Sequence, residues 1–237
     1  MEQQYVSKIV PFLNVVRVYH EHEVKGMGHI PQEGAALLVM NHSLATYDIG
    51  LLFAAVYEST GRIVRPLADN LFFKIPYLSQ FVQALGGVRG TQKNAKDLLR
   101  AGEIVAVAPG GMKEALRPSS DKYKLMWETR KGFVALAIEM QVPVILAMCP
   151  KADDIYNVYC NPITPWIYER YRIPLFCIRG IGPTLIPKKV QLTHFVSAPL
   201  APPKIKKSSN ISVLIDSFHK KILTTSNGLM TEALKHL

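Results

Sequence analysis

Three short, almost wholly apolar runs constrain the fold of this chain more than any other feature: Ala35-Ala36-Leu37-Leu38-Val39-Met40, Glu103 to Ala108, and Val142 to Met148. Runs of this length without alternation read as strands covered on both faces, the pattern of a parallel sheet inside helical layers. The segments between them have helical character. Asp48 to about Glu58 forms one such segment, Thr91 can cap a second that stops at Gly102, and Thr129 to Gln141 carries an apolar face of Phe133, Leu136, Ala137 and Met140. Tyr19 to Lys25 alternates like a half-buried strand, Arg62 to Leu67 and Val190 to Val196 also read as strands, and Pro76 is placed to open a helix towards Ala84. Pro162 to Gly182 is rich in proline and aromatics and reads as an excursion over the core. Its Trp166, Tyr168 and Tyr171 suit an acyl-chain groove, a membrane interface or ordinary packing alike. Ile211 to Leu234 reads as helix with a break near Asn227-Gly228. Strands alternating with helices predict an α/β fold, with a single domain built on a largely parallel mixed sheet flanked by helices. Ligand chemistry then belongs outside the carboxyl ends of the strands. No linker or internal repeat divides the chain. Val6, Ile9, Val10, Leu13 and Val16 fit a short amphipathic helix with Pro11 as a defect. Residues 1–18 are therefore expected to be an interfacial or docking segment and residues 19–237 the domain proper.

Charge narrows the partners. The formal net charge is +10, with one basic group from Arg89 to Lys131 and a second from Lys188 to Lys207. No finger, RNA-recognition or basic-zipper pattern accompanies these cations, so nucleic acid is not expected. Anionic lipid surfaces or a phosphate-bearing cosubstrate fit them as well. No apolar run reaches the roughly 18 to 20 residues that span a bilayer. Lys8 and Arg17 interrupt the N-terminal apolar stretch, which also lacks a small-residue cleavage site, so neither a transmembrane span nor a signal peptide is expected. Cys149, Cys160 and Cys177 are odd in number and unpaired by spacing, which favours a reducing compartment.

Candidate chemistry begins just past the first apolar run, at Asn41-His42-Ser43-Leu44-Ala45-Thr46-Tyr47-Asp48. A histidine at a strand end with an aspartate shortly downstream can act as a base with its orienting carboxylate. The same residues also suit a polar loop with an early-turn carboxylate on a helix dipole. Leu85-Gly86-Gly87-Val88-Arg89-Gly90-Thr91 leads into a helix N-terminus, where Arg89 is either a phosphate ligand or a surface cation. In Val107-Ala108-Pro109-Gly110-Gly111-Met112-Lys113-Glu114, two glycines allow a ligand close to the backbone and Glu114 can accept from a polyol hydroxyl; a plain tight turn has the same look. His20 and His22 share a strand face but lack a third ligand at metal-site spacing, so they read as an exposed polar strand face, and no metal is expected. His194 reads as a strand residue without a catalytic role.

In order and spacing, these blocks resemble the glycerolipid acyltransferase superfamily, which includes the 1-acylglycerol-3-phosphate acyltransferases. The likeness runs from about Tyr19 to Pro199 and takes in the approach Val24 to Pro31, the His42/Asp48 block, the Arg89 block, the proline-glycine block and Val142-Pro143. Two departures stand out. Five residues separate His42 from Asp48 where the common pattern has four, and Gly110 and Lys113 stand where it has Glu and Arg. Pro109-Gly110-Gly111-Met112-Lys113-Glu114, with Arg130-Lys131-Gly132-Phe133 after it, is similar to the monoacylglycerol and diacylglycerol acyltransferase-like branch.

The resemblance implies a glycerolipid acyltransferase-like fold and direct acyl transfer to a hydroxyl of a glycerolipid or other lipid alcohol. The donor would be a thioester, acyl-coenzyme A or acyl-carrier protein, with no bound cofactor. His42 and Asp48 would be catalytic, and Arg89, Gly110, Gly111 and Glu114 would bind substrate, with backbone N–H groups near Gly110 and Gly111 holding the oxyanion. No G-x-S-x-G elbow offers a serine nucleophile. With Gly110 where phosphate-using relatives have Glu, and a Glu114 carboxylate in the same loop that would accept from hydroxyls but repel a phosphate, a neutral acceptor is expected over a lysophosphatidic acid. A lysophospholipid acyltransferase, a thioesterase and a catalytically silent lipid-binding protein are the alternatives. The expected location is peripheral, on the cytoplasmic side of a membrane.

Overall fold

The computed structural model describes residues 2–74, 79–80, 82–83, 85–159, 170, 178–206, 208 and 210–235. Its centre is β2 (Ala36–Met40), whose five residues are all buried. Leu37 and Val39 face one helical layer, while Ala36, Leu38 and Met40 face the other. Covering both faces removes the need for alternation, which is why this strand reads as one apolar run.

Seven strands form the sheet in the order β1-β9-β6-β2-β5-β3-β4. They are β1 (Glu23–Lys25), β2, β3 (Val64–Ala68), β4 (Val88–Arg89), β5 (Ile104–Val107), β6 (Val144–Met148) and β9 (Thr193–Val196). β2 pairs in parallel with β5 and β6, and β3 in parallel with β5 and β4. β9 is antiparallel to β6 and carries β1 parallel to itself, so the far edge runs backwards. β7 (Asn157–Val158) and β8 (Ile178–Arg179) form a small antiparallel pair apart. The result is a single α/β domain on a largely parallel mixed sheet, as the strand pattern predicts.

Helices α1 (Glu2–Tyr19) and α2 (Tyr47–Thr60) lie on one face. On the other face Ala95 and Leu99 of α3 (Gln92–Arg100), the apolar side of α5 (Gly132–Met140), and Phe218, Ile222 and Met230 of α6 (Ile211–Lys235) enclose Trp127. A five-residue helix α4 (Gly111–Ala115) follows β5. Thr91 caps α3 as expected, accepting from Asn94 N–H at 3.1 Å. Gly61, at φ 70°, closes α2 in the left-handed conformation.

Several boundaries differ from the sequence reading. The strand expected from Tyr19 shrinks to Glu23–Lys25, because α1 continues to Tyr19 and packs Val6 and Val10 on Ala54. Pro11 sits inside that helix without ending it. Of the expected strand Val190–Val196, only Thr193–Val196 pairs in the sheet. α6 runs unbroken through Asn227-Gly228, because Met230 and Ala233 beyond the glycine are buried against the domain. The expected helix from Pro76 and most of the excursion from Pro162, including Trp166, Tyr168, Tyr171, Cys160 and Cys177, lie outside the described residues or only partly within them. Among the described residues, no helix is long and apolar enough to cross a membrane.

Candidate active site

Three neighbouring strands deliver the site at their carboxyl ends: β2 supplies Asn41 and His42, β5 the Gly110 turn, and β6 the segment from Cys149 to Asp153. The strand order reverses here, with β5 on one side of β2 and β6 on the other, and such a switch opens a crevice at the sheet edge. Asn41 closes part of it. Its amide donates to Cys149 O at 3.1 Å and accepts from Cys149 N–H at 2.8 Å, extending the β2–β6 pairing by a side chain.

His42 follows, half-buried, with Nδ1 2.9 Å from the Ser43 carbonyl oxygen. A carbonyl only accepts, so in the neutral ring Nδ1 carries the hydrogen and Nε2 keeps the lone pair. Burial pulls the imidazole below its ordinary pKa, opposed by the Ser43 carbonyl and reinforced by Arg117. The ring is therefore held neutral and ready to take a proton at Nε2.

No hydrogen bond joins Asp48 to His42; each bonds to a different group of Ser43. The buried Ser43 hydroxyl donates to Asp48 Oδ1 at 2.8 Å while the Ser43 carbonyl holds the ring. The orienting carboxylate expected from sequence is thus displaced: the Ser43 carbonyl takes the place on Nδ1, and Asp48 holds the loop through the Ser43 hydroxyl, with Thr46 at φ 56°, a left-handed position rare for a β-branched side chain. Asp48 is buried, its Oδ2 is without a hydrogen-bond partner, and burial pushes its carboxyl up to about 6.

Glu114 is fully buried and faces His42 from below. Its Oε1 accepts from the His42 backbone N–H at 2.7 Å and its Oε2 from Met126 N–H at 2.8 Å. Both oxygens are engaged on the backbone and the side chain is fully buried, so the polyol contact expected from sequence has no exposed acceptor here. Gly110 explains the spacing of the motif: any Cβ at this position would overlap the Glu114 side chain, which folds back over it. Gly111 takes φ 53°, and its N–H closes the turn onto Ala108 O at 3.0 Å, so that donor points into the turn.

Arg117, unmarked by the sequence reading, completes the arrangement. Its Nη1 donates to His42 O at 3.1 Å, and its Nε and Nη2 engage Asp153 Oδ2. Its side chain is 2% exposed, and Nη1 lies 3.6 Å from Glu114 Oε1. Asp153 also accepts from Tyr123 N–H at 2.8 Å. His42 is thus gripped at its N–H by Glu114 and at its C=O by Arg117, two charged groups that compensate each other in the interior. The signal was present in sequence, as an arginine three positions after Glu114, but only β6 brings Asp153 to it.

Arg89 is exposed on β4, three strands from β2 at the same carboxyl edge, with its guanidinium over Phe73 at 5.4 Å. It is not part of the His42 cluster. His20 and His22 are buried, contrary to the exposed strand face expected. His22 Nε2 lies 2.9 Å from His194 Nδ1 and its Nδ1 accepts from Arg17 Nε at 3.2 Å, while His20 bridges Val190 O and the Tyr47 hydroxyl. Alternation misled because β9 and the 190–192 segment cover that face. No cluster of three or more metal-ligating side chains occurs among the described residues.

A family model described as Acyltransferase matches residues 21–149. A Bos taurus protein named "DGAT1/2-independent enzyme synthesizing storage lipids" is 31% identical over 214 residues, covering 86% of this chain and 62% of that protein. The Mus musculus protein of the same name is 32% identical over the same share of each. The chain therefore spans about three fifths of the length of these relatives. The crystal structure of the 1-acyl-sn-glycerophosphate (LPA) acyltransferase PlsC from Thermotoga maritima superimposes with a TM-score of 0.55 at 18% identity, covering 91% of this chain and 77% of that one. This likeness is one of fold. The family match extends over more than half of the chain, from just before β1 to just past β6, and the chain accordingly belongs to the Acyltransferase family, within the glycerolipid acyltransferase superfamily.

Proposed function

We propose that this acyltransferase moves a fatty acyl group from a thioester, acyl-coenzyme A or acyl-carrier protein, to the hydroxyl of a neutral glycerolipid or other lipid alcohol. The observation that carries this reading is the lone pair on His42 Nε2, fixed by the Nδ1 contact to Ser43 O at the carboxyl edge of the central strand. Nε2 removes the hydroxyl proton as the acceptor oxygen attacks the thioester carbonyl. The C–S bond then breaks, and the thiolate takes up the proton from the imidazolium. Asp48, linked through Ser43, supports the transient positive charge. Glu114 and Arg117 act on the position of His42, and no acyl-enzyme is required.

A neutral acceptor is supported by the placement of Arg89 away from the His42 cluster and by relatives named for storage-lipid synthesis. Arg89 supports a second reading, a phosphorylated acceptor, because it shares the carboxyl edge of the sheet. Incubating the purified protein with each thioester donor and a mixed lipid extract, and identifying the acylated product by mass spectrometry, tests the reaction. Competition between monoacylglycerol and lysophosphatidic acid decides the acceptor. A preference for lysophosphatidic acid that is lost in Arg89→Ala would establish the second reading in place of the first.

A further inference from the structure

The loop after β8 is tightly wired yet turns its apolar side chains outward. Gly180 N–H donates to Thr184 O at 2.7 Å and Ile181 N–H to Ile186 O at 2.9 Å. The Thr184 hydroxyl donates to Ile181 O at 2.7 Å and accepts from Ile186 N–H at 3.2 Å. Gly180 is held so close that a Cβ there would overlap the Ile186 carbonyl, and Gly182 turns the chain at φ 56°. Two tyrosines fasten the loop from within: Tyr156 donates to Leu185 O at 3.2 Å and Tyr19 to Pro187 O at 2.9 Å. Tyr156 also lines the recess beside Leu44 and Ala45 of the His42 loop. The Tyr19 bond joins the loop to the end of α1, whose outer face carries Phe12, Val15 and Val18. These three and Ile181, Leu185 and Ile186 are all between 49% and 78% exposed.

A rigid loop has no need of exposed Leu and Ile for its own stability, and several exposed apolar side chains on one loop mark an interaction site. Its collar is cationic. Arg179, Lys188 and Lys189 flank it, Lys189 also pairing with Glu21 at 2.8 Å, and no acidic residue occurs from Ile178 to Val196. We infer that Ile181, Leu185 and Ile186, together with the outer face of α1, form a two-element surface that inserts into the interface of an anionic bilayer beside the His42 crevice. Apolar side chains enter the acyl boundary while the collar meets lipid phosphates. The choice of a bilayer as occupant rests on the lipid-acceptor reading of the site.

The test uses the full chain with sucrose-loaded vesicles of phosphatidylcholine alone or mixed with phosphatidylglycerol. Leu185→Ser/Ile186→Ser is expected to lower partitioning onto the mixed vesicles about tenfold or more. Acyl transfer from a short-chain, water-soluble thioester to a monomeric alcohol, without vesicles, should be unchanged in this variant. In Leu185→Trp, the new indole should be quenched by brominated lipid. Undiminished partitioning of the double variant, or an indole that brominated lipid leaves untouched, overturns the proposal. So does a wild-type chain that ignores vesicles but forms a dimer lost in the double variant. If the wild type docks through this loop but transfers no acyl group, the surface stands and the acyl-transfer reading fails.

Discussion

Glu114 shows how a residue legible in sequence acquires a different job in the fold. Its spacing from Gly110 marks it, but its two oxygens hold the backbone N–H groups of His42 and Met126. Glu114→Gln replaces one acceptor with a donor facing an N–H. It is expected to lower kcat about tenfold to a hundredfold with little change in KM, whereas a substrate-binding role would move KM. His42→Ala should lower turnover by about 10² to 10⁴ with the fold intact by circular dichroism; wild-type turnover would remove His42 from the mechanism. Asp48 links stability and pH. Its folded pKa of about 6 lies above the ordinary 3.8, so the stability it contributes is present at low pH and is lost as pH rises through about 6. Asp48→Asn should therefore raise Tm at neutral pH while slowing transfer, and the wild-type rate should fall below about pH 6 as the carboxylate takes up its proton. A lower Tm for Asp48→Asn at neutral pH would contradict this account. His42, Asp48 and the glycine turn could be found from sequence because they sit beside strand ends. Ser43 as the partner of both His42 and Asp48 could not, because it depends on the path of the loop through Thr46, and the Arg117–Asp153 pair could not, because it depends on β6 lying beside β2.

At the scale of elements, the sequence shows strands best where both faces are buried, as in β2, β5 and β6, and poorly at the reversed edge. There β1 has three residues, and His20 and His22 just before it look like a polar face until the 190–194 segment covers them. Helix α6 ignores its internal glycine because tertiary burial outweighs an intrinsic penalty of about 1 kcal/mol. The reversed edge is also where acid should act first. Burial, Arg17 and His20 lower His22 to about 4, and burial with the neighbouring His22 holds His194 well below its ordinary value. A histidine kept neutral in the folded state gives stability that is complete above the unfolded value of 6.5 and is lost as pH falls from there towards about 4. Hydrogen exchange at β1 and β9 should accelerate over that window while β2 and β5 stay protected. His22→Gln should flatten the pH dependence, and an unchanged slope would place the sensitive group elsewhere.

For the whole molecule, the net charge of +10 and the apolar outer face of α1 make the same forecast. Phe12→Ser/Val15→Ser should weaken vesicle binding without lowering Tm, because Val6 and Val10 on the opposite side are the residues that pack on Ala54. Added salt should weaken what remains, with most of the loss below about 0.15 M. Salt-independent binding would assign the attraction to apolar contact alone. The end of this helix is tied to the domain by partners far away in the chain: Tyr19 donates to Pro187 O across 168 positions, and just beyond it β1 pairs with a strand synthesised long after it. Long-range pairings form late. A ribosome making this protein therefore leaves the end of α1 with only α2 to pack on for most of the translation time. The outer face that carries Phe12 and Val15 is thus presented before the sheet behind it is complete.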